Sequence, residues 1–342
     1  MWLDPPTPTP VSEILVTCAG AHHRILVKHE SYLPSGSVKE RTAVGLLRAL
    51  DRQRPLTPGT VLVESTSGNL GIALARQLAR LGGRLIAVID PKTPAATREL
   101  LTAAGATLHM VDEHDGQGGY LLTRLATVRE LLAANPDYRW TNQYDSDANP
   151  EIHEQTTGPE ILRQGGAALD AIYVAVSTGG TLEGISRHVR DTGRAVRLVA
   201  VDAFASIASG PAAGAATGAG ARLLPGIGAS RRSSFLTPGS FDVRRTVRDS
   251  DAIAMCRMLR QDTDIGVGGS AGCVLSACVT DLMSPEPPAR ALCLAADDAT
   301  KYHDSIYSDA WLERSTLLDA VDATMRRWRA EGLAFKSTEP QL

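Results

Sequence analysis

The stretch TVLVESTSGNLGIALARQLARLGGRLIAVID, Thr60 to Asp90, decides the fold. TVLVE is a short aliphatic and β-branched run, STSGNLG is a turn of small hydroxyl residues and glycines, LGIALARQLARL carries apolar residues at helical spacing, and RLIAVID is a second buried strand. A strand, a helix and a strand without a hairpin turn make the βαβ unit of a parallel sheet covered by helices. The rhythm continues through AATRELLTAA as helix, ATLHMV (106–111) as strand and YLLTRLATVRELLAA as helix. A second series opens near residue 150: EQTTGPEILRQ as helix, AIYVAVS as strand, TLEGISRHVRD as helix, VRLVAVDA as strand. Two α/β lobes with a cleft between them are therefore expected.

Composition narrows the partners. A chain of 342 residues buries a substantial core, and its net charge of −3 comes from dispersed charges of both signs. No basic stripe is offered to nucleic acid and no polybasic anchor to a membrane, so a small molecule is the expected partner. No apolar run approaches the roughly 20 residues of a membrane span, and the N-terminal MWLDPPTPTP has neither basic region nor apolar core; a cytoplasmic protein is expected. The five cysteines, Cys18, Cys256, Cys273, Cys278 and Cys293, sit in apolar patterns without a C-x-x-C pair and read as buried thiols. The eight histidines lack metal spacing, and His22 and His23 precede the first clear sheet element, so no metal site is expected. Met255 and Met258, three apart, read as core filling. The Ala/Gly/Ser-rich segment between Phe204 and Arg222 reads as a mobile surface loop, and the FKSTEPQL end as frayed.

Three loops and one helix start carry the chemistry. In PSGSVKERTA, Pro34 to Ala43, turn residues lead to Ser37 and Glu40 at capping-box spacing, which places Lys39 in the first helical turn. The positive end of a helix disfavours an ammonium and exposes a neutral amine, as a Schiff-base lysine needs; a solvated lysine is the plain alternative. In STSGNLG, Ser65 to Gly71, backbone amides and hydroxyls form a natural carboxylate site, with Asn69 adding an amide donor, unless the loop only caps its helix. STGGT, Ser177 to Thr181, follows a buried strand and opens a helix; its adjacent glycines and three hydroxyls suit a phosphate without a Walker lysine. GVGGSAG, Gly266 to Gly272, formally matches a dinucleotide fingerprint but follows a helical pattern, and is read as a decoy.

A Schiff-base lysine, a phosphate cup and an amide for a ring hydroxyl are the parts that hold pyridoxal 5′-phosphate. With SVKERTA, TSGNLGIALA, NQYDSDANPEIHEQTTGPEI, STGGTLEGI, PGIG and GGSAG in that order from Leu33 to Trp311, the chain resembles the fold-type II pyridoxal-phosphate enzymes, the cysteine synthase and cystathionine β-synthase family. The resemblance implies a tryptophan synthase β-like α/β fold of two three-layer α/β/α lobes with mostly parallel sheets. It implies a smaller mobile domain at 35–147, a larger cofactor-binding domain from 8–34 plus 148–330, a tail at 331–342, and a homodimer. It implies Lys39 as the aldimine lysine, Asn69 against the cofactor's ring oxygen, Ser177, Thr178, Gly179, Gly180 and Thr181 around the phosphate, and Ser270 at the pyridine nitrogen. Thr66, Ser67 and Gln143 would bind the amino-acid carboxylate. A serine does not hold the ring nitrogen protonated, which favours elimination over transamination. Lys39 would remove the α-proton, a leaving group would depart from Cβ, and a second nucleophile would add to the resulting α-aminoacrylate.

Departures from cysteine synthase concern the substrate end. Leu70 stands where threonine is usual, and Ser177 where glycine is usual. Arg222, Arg231 and Arg232 surround PGIG, where arginine suits a dianionic leaving group or a dicarboxylate acceptor, unless these are solvated side chains. With SGNLG and YSDAWL, the pattern is most similar to the N-(2-amino-2-carboxyethyl)-L-glutamate synthases, which implies O-phospho-L-serine and L-glutamate as substrates. Their product is the precursor of 2,3-diaminopropionate for siderophores or peptide antibiotics. The alternatives are a cysteine synthase or O-phosphoserine sulfhydrylase, a cystathionine β-synthase-like enzyme without regulatory domains, and a ligand-binding regulator that has lost its chemistry. Asp297 and Asp298 either shape the cleft near the pyridine edge or cap the next helix.

Overall fold

The computed structural model describes residues 7–116, 119–211 and 222–338. In chain order the elements are β1 (Val11–Cys18), β2 (Ala21–His29), α1 (Lys39–Gln53), β3 (Val61–Ser65), α2 (Asn69–Ala79), β4 (Arg84–Ile89), α3 (Ala95–Ala103), β5 (Thr107–Met110), α4 (Leu121–Ala134) and β6 (Arg139–Trp140). There follow α5 (Ala148–Gln155), α6 (Thr157–Gly165), β7 (Ala171–Ala175), α7 (Gly180–Asp191), β8 (Arg197–Ala203), β9 (Val243–Val247), α8 (Asp249–Thr263), α9 (Gly269–Leu282), β10 (Ala291–Ala295), α10 (Asp309–Arg314), α11 (Leu318–Ala330) and β11 (Ala334–Ser337).

Two sheets result. One has the order β5-β4-β3-β6 and is wholly parallel. The other runs β11-β1-β2-β10-β7-β8-β9, parallel from β2 onward and antiparallel at β11 and β1. Strand alternation builds a core on each face of each sheet. In β7, Ala171 and Tyr173 pack with α8, α9 and α11, whereas Ile172 and Val174 pack with α6 and α7. In the smaller sheet Leu62 and Leu85 meet α1, α2 and α3, and Val63 and Val88 meet α4. Both lobes are thus three-layered α/β/α. All five cysteines are buried and unpaired, and Met255 and Met258 lie in the core. Among the described residues no helix is long and apolar enough to cross a membrane.

The strand orders locate the crevice. From β3 the chain goes to β4 on one side and returns as β6 on the other; from β7 it goes to β8, while β10 arrives on the opposite side. In open parallel sheets ligands bind at the carboxyl ends of strands where the order reverses. Those ends are the loops after β3, β6, β7 and β10.

Three expectations are corrected. His22 and His23 lie inside β2, which pairs with β1 as an antiparallel hairpin turning at Ala19 and Gly20, both at positive φ. The alternation in VSEILVTC is interrupted by polar residues, which hid β1. The end of the chain is not all tail: Ala334–Ser337 pairs with Ile14–Thr17, and Phe335 is buried in the main core. Its polar neighbours face outward, as an edge strand allows. Finally, Ser37 and Glu40 form no capping box. Val38 holds the N-cap position without a side-chain bond, the Ser37 carbonyl accepts from Glu40 N–H at 3.1 Å, and the Glu40 carboxylate accepts from Gln77. Most of the Ala/Gly/Ser-rich segment, 212–221, lies outside the described residues.

Because Phe335 fills core space, Phe335→Ala is expected to lower unfolding free energy by about 3 kcal/mol in a urea titration. A change below about 0.5 kcal/mol would mean that the last strand is not part of the folded unit.

Candidate active site

Lys39 begins α1 directly after the loop that leaves β2. Val38 N–H donates to the Ala296 carbonyl at 2.9 Å, and Ser37 bridges Asp297, so this loop is stitched to the end of β10. Lys39 is half-buried, and desolvation without a neighbouring carboxylate lowers its pKa from the ordinary 10.5 to about 8. The direction is the one the sequence implied, but desolvation is the cause.

After β3, Glu64 pins the STSGNLG loop. It is fully buried and accepts from Ser65 N–H at 2.9 Å, Trp140 Nε1 at 3.3 Å, Gln143 N–H at 3.4 Å and the Thr141 hydroxyl. Burial raises its pKa to about 7 against these donors. Gln143 Nε2 donates to the Ser65 carbonyl at 3.0 Å, joining the two sides of this switch point. The Thr66 hydroxyl accepts from Gly71 N–H at 2.8 Å, closing the turn into α2, and Ser67 and Asn69 stand half-buried in the loop.

After β7, Ser177 to Thr181 form a tight cup. Gly179 has φ +91°, and a Cβ there would lie 2.2 Å from Ser233 Oγ; one on Gly180 would lie 2.3 Å from Asn149 Oδ1. Protein presses on the loop from both sides, so only glycine fits, while among the described residues no hydrogen bond uses the N–H groups of Thr178 or Gly179. Those open amides at the start of α7, with the Thr178 and Thr181 hydroxyls, fit a phosphate. Sequence reasoning missed what holds the cup. Asn149 Nδ2 donates to the Gln143 carbonyl at 2.8 Å and to Thr178 Oγ1 at 3.3 Å. Buried His153 meets Thr42 at 3.1 Å and Thr181 at 3.3 Å through Nε2, and Thr157 at 2.8 Å through Nδ1. Burial, with Lys39 and Arg41 nearby, pushes its pKa well down, so it is a neutral strut between α1 and the cup. Both residues lie inside NQYDSDANPEIHEQTTGPEI, where neither spacing nor residue type marks them.

Ser270, in the first turn of α9, is buried, and among the described residues its hydroxyl has no side-chain hydrogen bond. Asp297 and Asp298, left open by the sequence, take both roles: Asp298 caps the short turn at Ala299–Lys301, and Asp297 joins the cleft. Of the arginines, Arg231 donates to Asp145 at 2.7 Å and lies 5.4 Å from the centre of the Tyr144 ring, beside Gln143. Arg222 has a buried Nη1 without a partner among the described residues and lies against Gly228, whose carbonyl accepts from Ser177 Oγ at 3.3 Å. Burial depresses the Arg222 pKa, with Asp202 and Asp249 opposing. Arg232 is exposed. Among the described residues no cluster of metal-ligating side chains is present.

A phosphate cup, a desolvated amine without an anion and a serine hydroxyl fit pyridoxal phosphate, and residues 3–297 match the pyridoxal-phosphate-dependent enzyme family. The chain belongs to that family and is an enzyme whose cofactor is pyridoxal phosphate. It is 38% identical over 306 residues to an N-(2-amino-2-carboxyethyl)-L-glutamate synthase of Ralstonia nicotianae, covering 90% of this chain and 89% of that one. Its fold is similar to that of O-ureido-L-serine synthase crystallised with O-ureido-L-serine, with TM-score 0.78 and 28% identity over 92% of this chain and 98% of that one. It is also similar to the O-acetylserine-dependent cystathionine β-synthase of Helicobacter pylori, with TM-score 0.76 and 25% identity over 90% and 98%.

Attachment of pyridoxal phosphate to cofactor-stripped protein, followed by absorbance, is expected to accelerate with pH about a midpoint near 8. Only the neutral amine attacks a carbonyl. A midpoint near 10.5 would show that the Lys39 amine is not desolvated.

Proposed function

We propose that this enzyme joins O-phospho-L-serine and L-glutamate into N-(2-amino-2-carboxyethyl)-L-glutamate and phosphate. The bond between serine Cβ and the phosphate oxygen breaks, the glutamate nitrogen bonds to Cβ, and the proton lost from that nitrogen leaves with phosphate or solvent. Pyridoxal phosphate, when bound, supplies the electron sink for a carbanion at Cα. The chain supplies the rest. Lys39 takes the α-proton and returns it to Cα; an amine titrating near 8 is close enough to neutrality to do both. The loop after β3, with Thr66, Ser67 and Gln143, holds the amino-acid carboxylate, and Ser270 faces the ring nitrogen without fixing a proton there. Asn69 faces the ring oxygen, and the Ser177 to Thr181 cup holds the cofactor phosphate. Arg222 and Arg231 receive the anionic ends of donor and acceptor.

The observation that carries the choice of substrates is the pair of arginines on the two ends of the PGIG segment: Arg222, with a buried N–H that has no partner among the described residues, and Arg231, held by Asp145 and against Tyr144, the residues that follow Gln143 in the chain. The likeness to the Ralstonia nicotianae enzyme supports the same reading. Likeness to an O-acetylserine-dependent enzyme favours a second reading, a sulfhydrylase or cystathionine β-synthase-like activity. In either case residues 35–147 are read as a smaller domain that closes on the larger one, 8–34 plus 148–330, in a cytoplasmic homodimer. The product is read as a 2,3-diaminopropionate precursor.

Holoenzyme given O-phospho-L-serine with L-glutamate, sulfide or homocysteine in separate reactions is expected to make the amino-linked adduct with glutamate alone, identified by mass. Cysteine or cystathionine as the sole product would replace the leading reading with the second. Arg231→Ala is expected to raise KM for one substrate about tenfold at unchanged cofactor affinity; an unchanged KM for both would remove Arg231 from the site.

A further inference from the structure

The end of β10 carries a cluster that the reaction as described does not use. Asn69 Nδ2 donates to Asp297 Oδ2 at 2.8 Å, and Lys301 Nζ donates to Asn69 Oδ1. Lys301 also lies 3.5 Å from Asp297 Oδ2, to which the Tyr302 hydroxyl donates at 2.7 Å. Asp297 is 2% exposed, and its Oδ1 is buried without a partner. A Cβ on Gly268 would fall 2.0 Å from that oxygen, so the carboxylate is wedged against the loop that leads into Ser270.

The two ends of a carboxamide are nearly isosteric and differ only in what they bond. Here an ammonium faces one end and a carboxylate the other. Only the oxygen can accept from Lys301, and only the nitrogen can donate to Asp297. Turning the amide over would oppose the NH2 group to the ammonium and the oxygen to the carboxylate, two repulsions in place of two charge-assisted bonds. One N–H of Asn69 is spent on Asp297, and the second remains for a ligand.

We propose that Lys301 and Asp297 are positioning residues that lock the Asn69 carboxamide in the single orientation offering an N–H, and never its oxygen, to the ring oxygen of the cofactor. The pair acts across the cleft, since Asn69 leaves the smaller sheet and Asp297 and Lys301 follow β10 of the larger one. Lys301 is thereby engaged by Asn69 and Asp297, apart from the carbonyl chemistry that falls to Lys39. This proposal rests on the reading of Asn69 as the ring-oxygen partner.

The test is a double-mutant cycle on holoenzyme, with Lys301→Met, Asn69→Ala and the pair, plus Lys301→Arg. The readouts are the dissociation constant of pyridoxal phosphate and the wavelength and pH dependence of its visible band. K301M is expected to weaken binding about tenfold and shift the band, K301R to stay within about twofold of wild type, and K301M to add nothing once Asn69 is alanine. Wild-type binding and band in K301M overturn the proposal, as does an equal K301M effect with and without Asn69. If N69A itself matches wild type in both readouts, the reading of Asn69 fails, a result distinct from either. Circular dichroism checks folding, and should K301M lose its fold, Lys301→Gln is judged on the same criteria.

Discussion

The site depends on one buried charge, Arg41. It is wholly enclosed and gripped by two carboxylates: Nε reaches Glu30 at 2.6 Å, and Nη1 and Nη2 each reach Glu160 at 2.7 Å. Lys28, equally buried, completes the set by donating to Glu160 at 2.8 Å. Two cations and two anions thus neutralise one another inside the protein. Removing one member would leave a bare buried charge, which costs about 3–5 kcal/mol. The grip ties α1 to the end of β2 and to α6. It also settles the chemistry two residues earlier in the chain. Glu30 and Glu160 are engaged by Arg41 and Lys28, and Lys39 itself draws no stabilisation from either of them. The amine is left with burial alone, and burial favours its neutral form.

Around that amine the two parallel sheets bring their switch points together. Each supplies a loop of small residues at its switch point: the smaller sheet the STSGNLG turn, tied to Gln143, and the larger a glycine cup whose shape fits a phosphate. The cross-links between loops are polar and short. Asn149 joins Gln143 to Thr178, and His153 joins Thr42 to Thr181. The loops are therefore bonded to one another as well as to their own sheets.

The parallel rhythm was legible because buried strands there are continuous apolar runs and the helices between them are amphipathic. The hairpin of β1 and β2 and the closing strand β11 were not. They lie at the sheet edge, where one face meets solvent and the apolar pattern breaks. Asn69 and the Ser177 to Thr181 loop stood out as candidates because glycines and hydroxyls at strand ends carry a local signal, whereas Ser270 was named only through the resemblance, its GVGGSAG loop having no strand before it. Asn149, His153 and Lys301 did not stand out, because their partners lie far away in sequence: His153 bonds Thr42 across 111 residues and Lys301 bonds Asn69 across 232. The capping-box spacing at Ser37 and Glu40 misled for the same reason, since tertiary partners claimed the end of α1.

Of the five lysines in the chain, Lys39 and Lys301 both border the cleft, and the account divides them sharply. Lys301 is engaged by Asn69 and Asp297, whereas Lys39 has a desolvated amine with no anion beside it. The direct measurement is borohydride reduction of the holoenzyme, followed by proteolysis and mass spectrometry of the tagged peptide. The account predicts the cofactor mass on Lys39 alone. A tag on Lys301 would contradict it.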